Sequence, residues 1–564
     1  MFAQTILLIF LPLLLSYLLH RARHLRFKQY GDWPQLPPSL VWGHMKAINE
    51  FIVRGERKSH IDTVFREIQE YLDNPPLVLY DLRPLQHPLC VVGNYEVAEQ
   101  VSRSSKSFPY SMGKSPGMKA LEPLLGPYSI ITSEREQWKA LRKRFNPGFA
   151  PQHLLTLLPC ILNKTLRFAE ILDGYARSGE EFSLNERCVG LVFDITGAVT
   201  MDKDFHAQLD VSKQDELVRL YRELTATYRN DSTIQYDSLN PDVIRQRQVL
   251  SRRIDALVTD HIKTKFAELN VQSNERPSRS VLSLSLQDID HLDDRVLLET
   301  CHQLKSFLFA GHDTSSVLLE WAFYELSRTP RALDTLRREL DDIFGPESSP
   351  AAVQEKLLAP GGGGLLKKMS YTSAVIKETL RLYPPSGSAR YMPPGTGFNV
   401  QLPNGKTLCL DGVIIYNCPA LVQRDEAVYG PTKDEFLPER WLGDTDTGLG
   451  LPMDNLDDKG NGPVAAGRVP ASAWRPFERG PRSCIGQELA NLEARVILAS
   501  TARRFDFVKV GLGAVARDST GAPILDAKGQ HKVESELFNT MQVTAKPVDG
   551  TMMRVRVAGL SNRA

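Results

Sequence analysis

The sequence predicts a mainly α-helical fold with small β-sheets (α+β), built as one large domain behind an N-terminal membrane-spanning helix. Three observations predict it. Long stretches with the apolar spacing of helices fill the middle of the chain, and strand-like runs are short and few. An uncharged apolar segment opens the chain and basic residues follow it at once. The 564 residues are 42% apolar and 24% charged, an ordinary globular balance with enough apolar side chains for a large core. A formal net charge of +1 gives no support to nucleic acid as a partner.

Taken in order, Met1 to Leu19 holds no charged residue and is near the length that crosses a bilayer as a helix. Arg21, Arg23, Arg26 and Lys28 follow, and nothing basic precedes, so the short N-terminus is expected to cross and the rest to stay cytoplasmic. A cleavable signal peptide is the rival, but it wants a basic residue before the apolar run and a small-residue cleavage site after it. Neither is present. Residues 1–20 are therefore expected to sit in the lipid bilayer, with a basic, proline-rich linker over 21–44 and one domain over 45–564. Strands are expected at 77–80, 90–92, 413–416 and 553–557, and long helices at 215–228, 241–269 and 295–327. Insertions at 361–364, 443–473 and 511–530 read as solvated loops. The four-glycine run in the first is not a phosphate loop, because no Gly-Lys-Ser/Thr follows it.

The cysteines at 90, 160, 188, 301, 409, 418 and 484 are odd in number, scattered and never in a C-x-x-C pair. That argues for a reducing compartment and against a disulfide framework or a structural zinc site. Cys484 stands apart. It lies among glycines and arginines just before the helical run 487–499, where free backbone N–H groups and the helix dipole favour a thiolate. A thiolate held this way, two residues from Arg482, suits an axial ligand to haem iron; the plain alternative is a buried free cysteine in a turn. Upstream, Ala310, Gly311 and Thr314 share one helical face, small enough for a flat ligand to press against, and Asp313 sets an ionisable group beside the Thr314 hydroxyl. Tight helix packing is the other reading of that stripe. Trp138 and Arg142 are spaced i,i+4, and Glu378 and Arg381 i,i+3, so each pair can meet on its own helix.

The pattern Phe-x-x-Gly-x-Arg-x-Cys-x-Gly, from Phe477 to Gly486, resembles the haem-binding signature of the cytochrome P450 family. Three further segments resemble that family in the same order: Trp138 with Arg142, Ala310 to Thr314, and Glu378 to Arg381. The resemblance implies the cytochrome P450 fold, with a single haem domain, and haem b (iron protoporphyrin IX) as cofactor. It implies Cys484 as the axial iron ligand, with Phe477, Arg482, Gly486 and Ala310 around the cofactor. Trp138, Arg142, Arg482 and, less directly, Arg390 are the implied propionate partners, and Thr314 with Asp313 the proton-handling pair. Glu378 and Arg381 are implied to join Arg440 of Pro438-Glu439-Arg440-Trp441 in a buried structural network. His312 fills the variable position and is expected to be a hydrogen-bonded structural residue. Where many relatives carry a histidine before Arg-Asp, this chain has Gln423, so no propionate role passes to it.

The implied reaction is monooxygenation of a hydrophobic small molecule with O2. The chain shows no flavin or nicotinamide fingerprint, so electrons are expected from a membrane-bound NADPH–cytochrome P450 reductase at the endoplasmic reticulum. Substrate contacts are implied for 106–134, Phe307, Phe309, 386–389 and 537–539. The wording of these segments resembles enzymes of filamentous-fungal secondary metabolism, aromatic polyketide or related toxin pathways first and terpenoid second. An isomerase or dehydratase that needs no O2, and a haem-binding sensor or electron carrier, are the alternatives.

Overall fold

The structure is a computed structural model and describes residues 2–56, 58–228, 240–271, 278–442 and 469–559. The insertion expected at 443–473 lies outside these residues as far as 468. The chain forms two compact units interleaved in sequence.

The first unit draws on Met1–Pro116, Gly387–Gly430 and Ala471–Arg482. Helix α1 (Phe2–Phe27) overruns the apolar segment and takes in Arg21, Arg23 and Arg26. Phe10, Leu11, Leu13, Leu14 and Leu15 are exposed. Among the described residues no helix is long and apolar enough to cross a membrane. The basic cluster is not a free tether: Arg26 pairs with Asp81 at 2.7 Å and donates to the Arg83 carbonyl at 2.6 Å. Five strands form a sheet in the spatial order Leu77–Tyr80, Leu89–Val92, Ile414–Asn417, Ser388–Tyr391, Gly113–Lys114. Leu89–Val92 and Ile414–Asn417 run parallel, with Cys90 beside Ile415, and the other neighbours are antiparallel. The apolar runs explain the burial of Leu77–Tyr80 along its whole length. Helix α2 (Tyr95–Ser102) starts where the Asn94 side chain accepts from the N–H groups of Glu96 and Val97.

The second unit, from Gly117–Ser386, Pro431–Pro470 and Ser483–Ala564, carries most of the helices. Those that position the site are α3 (Arg135–Phe145), α4 (Leu184–Met201), α5 (Glu216–Ala226), α6 (Pro241–Val271), α7 (Asp294–Arg328), α8 (Ser370–Leu382) and α9 (Gln487–Thr501). Asp293 caps α7 by accepting from Val296 N–H at 2.7 Å. Phe182–Ser183, Met552–Val557 and Phe505–Lys509 make a three-stranded sheet, and Asn539–Met541 pairs with Ala545–Pro547 as a hairpin. The expected loop at 511–530 is an ordered arm. Bridges join Val515 to Val533 and Leu525 to His531, and His531 N–H donates to the carbonyl of Arg328 at the end of α7. The glycine run at 361–364 enters a short 3-10 turn, Gly362–Lys368.

Glu378 and Arg381, on α8, are fully buried and joined by two hydrogen bonds of 2.8 Å. Arg440 Nε reaches Glu378 Oε1 at 3.4 Å, Trp441 Nε1 donates to Oε2 at 2.9 Å, and Leu437 N–H donates to Oε1 at 3.0 Å. Arg381 also donates to the carbonyl of Glu435 at 2.8 Å. Spacing alone makes this pair look like a surface bridge of little weight, whereas burial makes each partner depend on the other. Glu378→Gln strands the Arg381 guanidinium and is expected to cost about 3–5 kcal/mol. Denaturant unfolding of the parent and variant checks this, and an unchanged midpoint would show that the pair carries no weight.

Candidate active site: a cysteine turn and an opened helix

All seven cysteines are free. Cys484 sits in the turn before α9, whose N-cap is Gly486. As a residue it is exposed, unlike Cys90, Cys188, Cys301 and Cys418, but protein atoms surround its thiol group. Burial pushes the Cys484 thiol up, and the backbone N–H groups of Gly486 and Gln487, with the Arg142 guanidinium, pull against it. Burial wins in the chain alone, so helix position does not by itself make the thiolate expected from the sequence. A coordinated metal is the charge that would complete the deprotonation. A Cβ at Gly486 would have only the Cys484 sulfur nearby, at 3.9 Å, so this glycine keeps room beside the sulfur.

Trp138 and Arg142 lie on α3, Trp138 buried and Arg142 half-buried. Arg142 Nη1 donates to the carbonyl of Ser483 at 2.8 Å, tying α3 to the cysteine turn. Arg390, Arg482 and Phe477 belong to the first unit. Arg390 is buried in the strand Ser388–Tyr391, Arg482 closes the short turn Gly480–Arg482, and the Phe477 ring lies 6.0 Å from that of Trp474.

On α7, every residue from Thr300 to Leu326 is buried except Ala310, Gly311 and Thr314. These are the three that the sequence put on one face. Thr314 Oγ1 donates to the Ala310 carbonyl at 2.7 Å. Gly311 has a second duty: a Cβ there would lie 2.7 Å from Thr196 Oγ1, so its missing side chain admits α4. His312 is structural, its Nδ1 at 2.6 Å from the Leu308 carbonyl and its pKa lowered to about 4 by burial.

Asp313 is not paired with Thr314. It forms an ion pair with Lys546, and Thr544 Oγ1 donates to its Oδ2 at 2.6 Å. Burial raises its pKa, but Lys546, His312 and Thr544 outweigh burial and hold the carboxyl below its usual range. Consecutive helical residues point about 100° apart, so one faces the hairpin while the next stays on the open face. Phe307 is buried. Its ring packs edge-on against Phe145 and Phe149 at 5.4 and 5.1 Å, as core. Lys546, Thr544 and Glu493 are the residues the sequence did not signal; each partners α7 from at least 170 positions away, and no spacing rule reaches that far.

The donor set fits haem. One thiol flanked by N–H groups and a cation suits the iron, and three small residues of α7 are not fully covered. Arg142 and Trp138 are the residues of this unit that would hold its charged edge.

The chain matches the family model "Cytochrome P450" over residues 34–520. It is 32% identical over 493 residues to cytochrome P450 monooxygenase acrF of Aspergillus aculeatus, covering 84% of this chain and 93% of that one. It is 26% identical over 509 residues to cytochrome P450 monooxygenase polC of Polytolypa hystricis, covering 86% and 84%. The human protein cytochrome P450 4V2 is 26% identical over 496 residues, covering 84% and 85%.

Between α7 and α9, burial raises the pKa of Glu493 to about 8, with Ser315 opposing. The folded chain therefore keeps a proton that the unfolded chain has lost. Its stabilising contribution is complete below the ordinary carboxyl pKa and is lost as pH rises toward 8. Glu493→Gln is expected to gain stability over the parent between pH 5 and pH 8, by up to about 1.4 kcal/mol per unit. Unfolding midpoints across that range check it; parallel pH curves for the two proteins would refute it.

Proposed function

The chain belongs to the cytochrome P450 family and is a monooxygenase, and on that premise we propose that it oxygenates a hydrophobic intermediate of fungal secondary metabolism. A polyketide is the first substrate class and a terpenoid the second. The observation that carries the reading is the opening of α7: of twenty-seven consecutive residues only Ala310, Gly311 and Thr314 are uncovered, in a unit that also presents the Cys484 sulfur. The relatives acrF and polC come from fungi and are named monooxygenases, which supports the fungal assignment.

The balanced reaction is RH + O2 + NADPH + H+ → ROH + H2O + NADP+, with the two electrons delivered by a membrane-bound NADPH–cytochrome P450 reductase. Haem, when bound, supplies the oxygen activation. Cys484 is the residue that would bind the iron, and Arg142 holds the turn that presents it by gripping the Ser483 carbonyl. Thr314 is the group that handles a proton on the open face, at Oγ1. Asp313 is engaged by Lys546 and Thr544 and so anchors the hairpin Asn539–Met541/Ala545–Pro547 to α7. An O2-independent isomerase is the second reading; the retained Thr314 hydroxyl favours the oxygenase.

Cys484→Ser is expected to abolish the long-wavelength reduced-CO band of thiolate-bound haem, and its survival would refute the ligand. Turnover of the substrate without NADPH and O2 would overturn the oxygenase reading. Comparing metabolites of the producing strain with those of a deletant identifies the substrate, which is expected to accumulate. We assign residues 1–20 as the anchor in the endoplasmic reticulum membrane. The full chain is expected to stay with membranes after an alkaline carbonate wash and a chain lacking residues 1–27 to be released; release of both would remove the anchor.

A further inference from the structure

Two turns before its open face, α7 carries a strap of backbone from the same unit, the segment 125–130. The residues of α7 that hold it are His302, Gln303 and Ser306, all buried. The Gln303 amide accepts from the Ile130 N–H and donates to the Tyr128 carbonyl, both at 2.7 Å, and donates back to the Glu299 carbonyl at 3.2 Å. A carboxamide carries one donor group and one acceptor on a single carbon, which matches a carbonyl and the N–H two residues on. Ser306 Oγ donates to the Leu125 carbonyl at 3.0 Å. His302 Nδ1 accepts from the Tyr128 N–H at 3.4 Å, and its ring stacks on that of Tyr128 at 5.7 Å. Gly126 lies against the same histidine: its φ is 79°, and a Cβ there would lie 2.3 Å from the imidazole Cγ. Backbone outside any helix or strand thus takes its partners from α7. Helical residues turn by about 100° each, so steps of seven and eleven return to within about 20° of the starting direction. Gln303 therefore shares its face with Ala310 and Thr314, and it lies about 10 Å from Ala310 along the axis. The strap crosses the face that opens at Ala310 and closes its N-terminal end.

We propose that Gln303 is a positioning residue that determines specificity: by fixing the 128–130 backbone across this face of α7, it sets the length of hydrophobic substrate the site admits. This rests on the reading of the open face as the place of oxygenation. A molecule that lies on that face and runs toward Gln303 for more than about 10 Å from Ala310 meets the strap. Short substrates never reach it. With both amide bonds removed, the 128–130 backbone is free to move away from α7, and only the longer molecules gain room.

The test compares full-length holoenzyme of the parent, Gln303→Leu, which keeps the bulk and loses both bonds, and Ser306→Ala, which loses only the bond to Leu125. Amide hydrogen exchange over 126–132 reads the strap. Spectral titration with imidazole and with 1-dodecylimidazole, which share one iron-binding ring and differ in length, reads the room beside it. Gln303→Leu is expected to keep the reduced-CO band of the parent while exchange at Ile130 speeds up about tenfold. Its affinity for 1-dodecylimidazole relative to imidazole is expected to rise about fivefold, and that of Ser306→Ala to rise by less. An unchanged ratio in Gln303→Leu overturns the proposal, as does unchanged exchange at Ile130. Equal shifts for the two ligands overturn it as well, since length would then play no part. Should Gln303→Leu fail to hold haem, Ser306→Ala decides, and a ratio equal to the parent's overturns the proposal. A parent whose spectrum imidazole does not shift refutes the oxygenation reading and this proposal with it. A responsive parent with unresponsive variants refutes this proposal alone.

Discussion

Polar side chains on the buried stretch of α7 must find partners on other elements, and those pairings decide where the neighbouring segments can lie. Gln303 accepts from Ile130 N–H and donates to the Tyr128 carbonyl, both at 2.7 Å. Lys305 pairs with Asp255 of α6 at 2.6 Å. Asp313 takes Lys546 and Thr544 of the C-terminal hairpin. Glu320 accepts from Asn185 of α4 at 2.7 Å and from Thr551 at 2.6 Å, and Glu325 from the Tyr383 hydroxyl at 2.6 Å. A helix with only apolar faces could slide or rotate against its neighbours. Each of these bonds forbids that, because breaking it leaves a charge or donor without water.

The same constraint explains why the opening of α7 is so narrow. Between Thr300 and Leu326 every residue but Ala310, Gly311 and Thr314 is buried. Thr314 avoids needing an outside partner by bonding back to the Ala310 carbonyl one turn earlier. Gly311 divides its two sides, admitting Thr196 of α4 on one and leaving surface on the other. The open face and the tight packing, which the sequence posed as rival readings, are therefore both present at one residue.

What the sequence could show follows from range. Helices and strands came out close to their observed limits, as in 295–327 against Asp294–Arg328 and 413–416 against Ile414–Asn417, because periodicity is local. Motif residues could be placed because their spacing is local too. The partner of Asp313 could not be read, because Lys546 lies on a hairpin more than two hundred residues later. The ring partners of Phe307 were out of reach for the same reason, since Phe145 and Phe149 come to it from the end of α3 and the turn beyond. The segment 511–530 is mostly exposed, as its glycines and charges suggest; the ties of Gln530 and His531 to Thr329 and Arg328 are amide and main-chain bonds with no compositional trace.

Gln423 shows how a departure from family pattern can be absorbed. Its Oε1 accepts from the Arg475 N–H at 2.7 Å, so the residue steadies the loop entering the signature. Two residues past Glu478, Gly480 has φ 73° and a Cβ there would lie 2.1 Å from the Ser102 carbonyl. The end of α2 thus presses on the loop at Gly480 and bonds it at Glu478. A motif read for its cysteine turns out to spend several of its positions on seating the loop against a helix some 380 residues upstream. The glycine is required by contact with Ser102, and the glutamate is tied down by Ser102, Asn417 and Arg475.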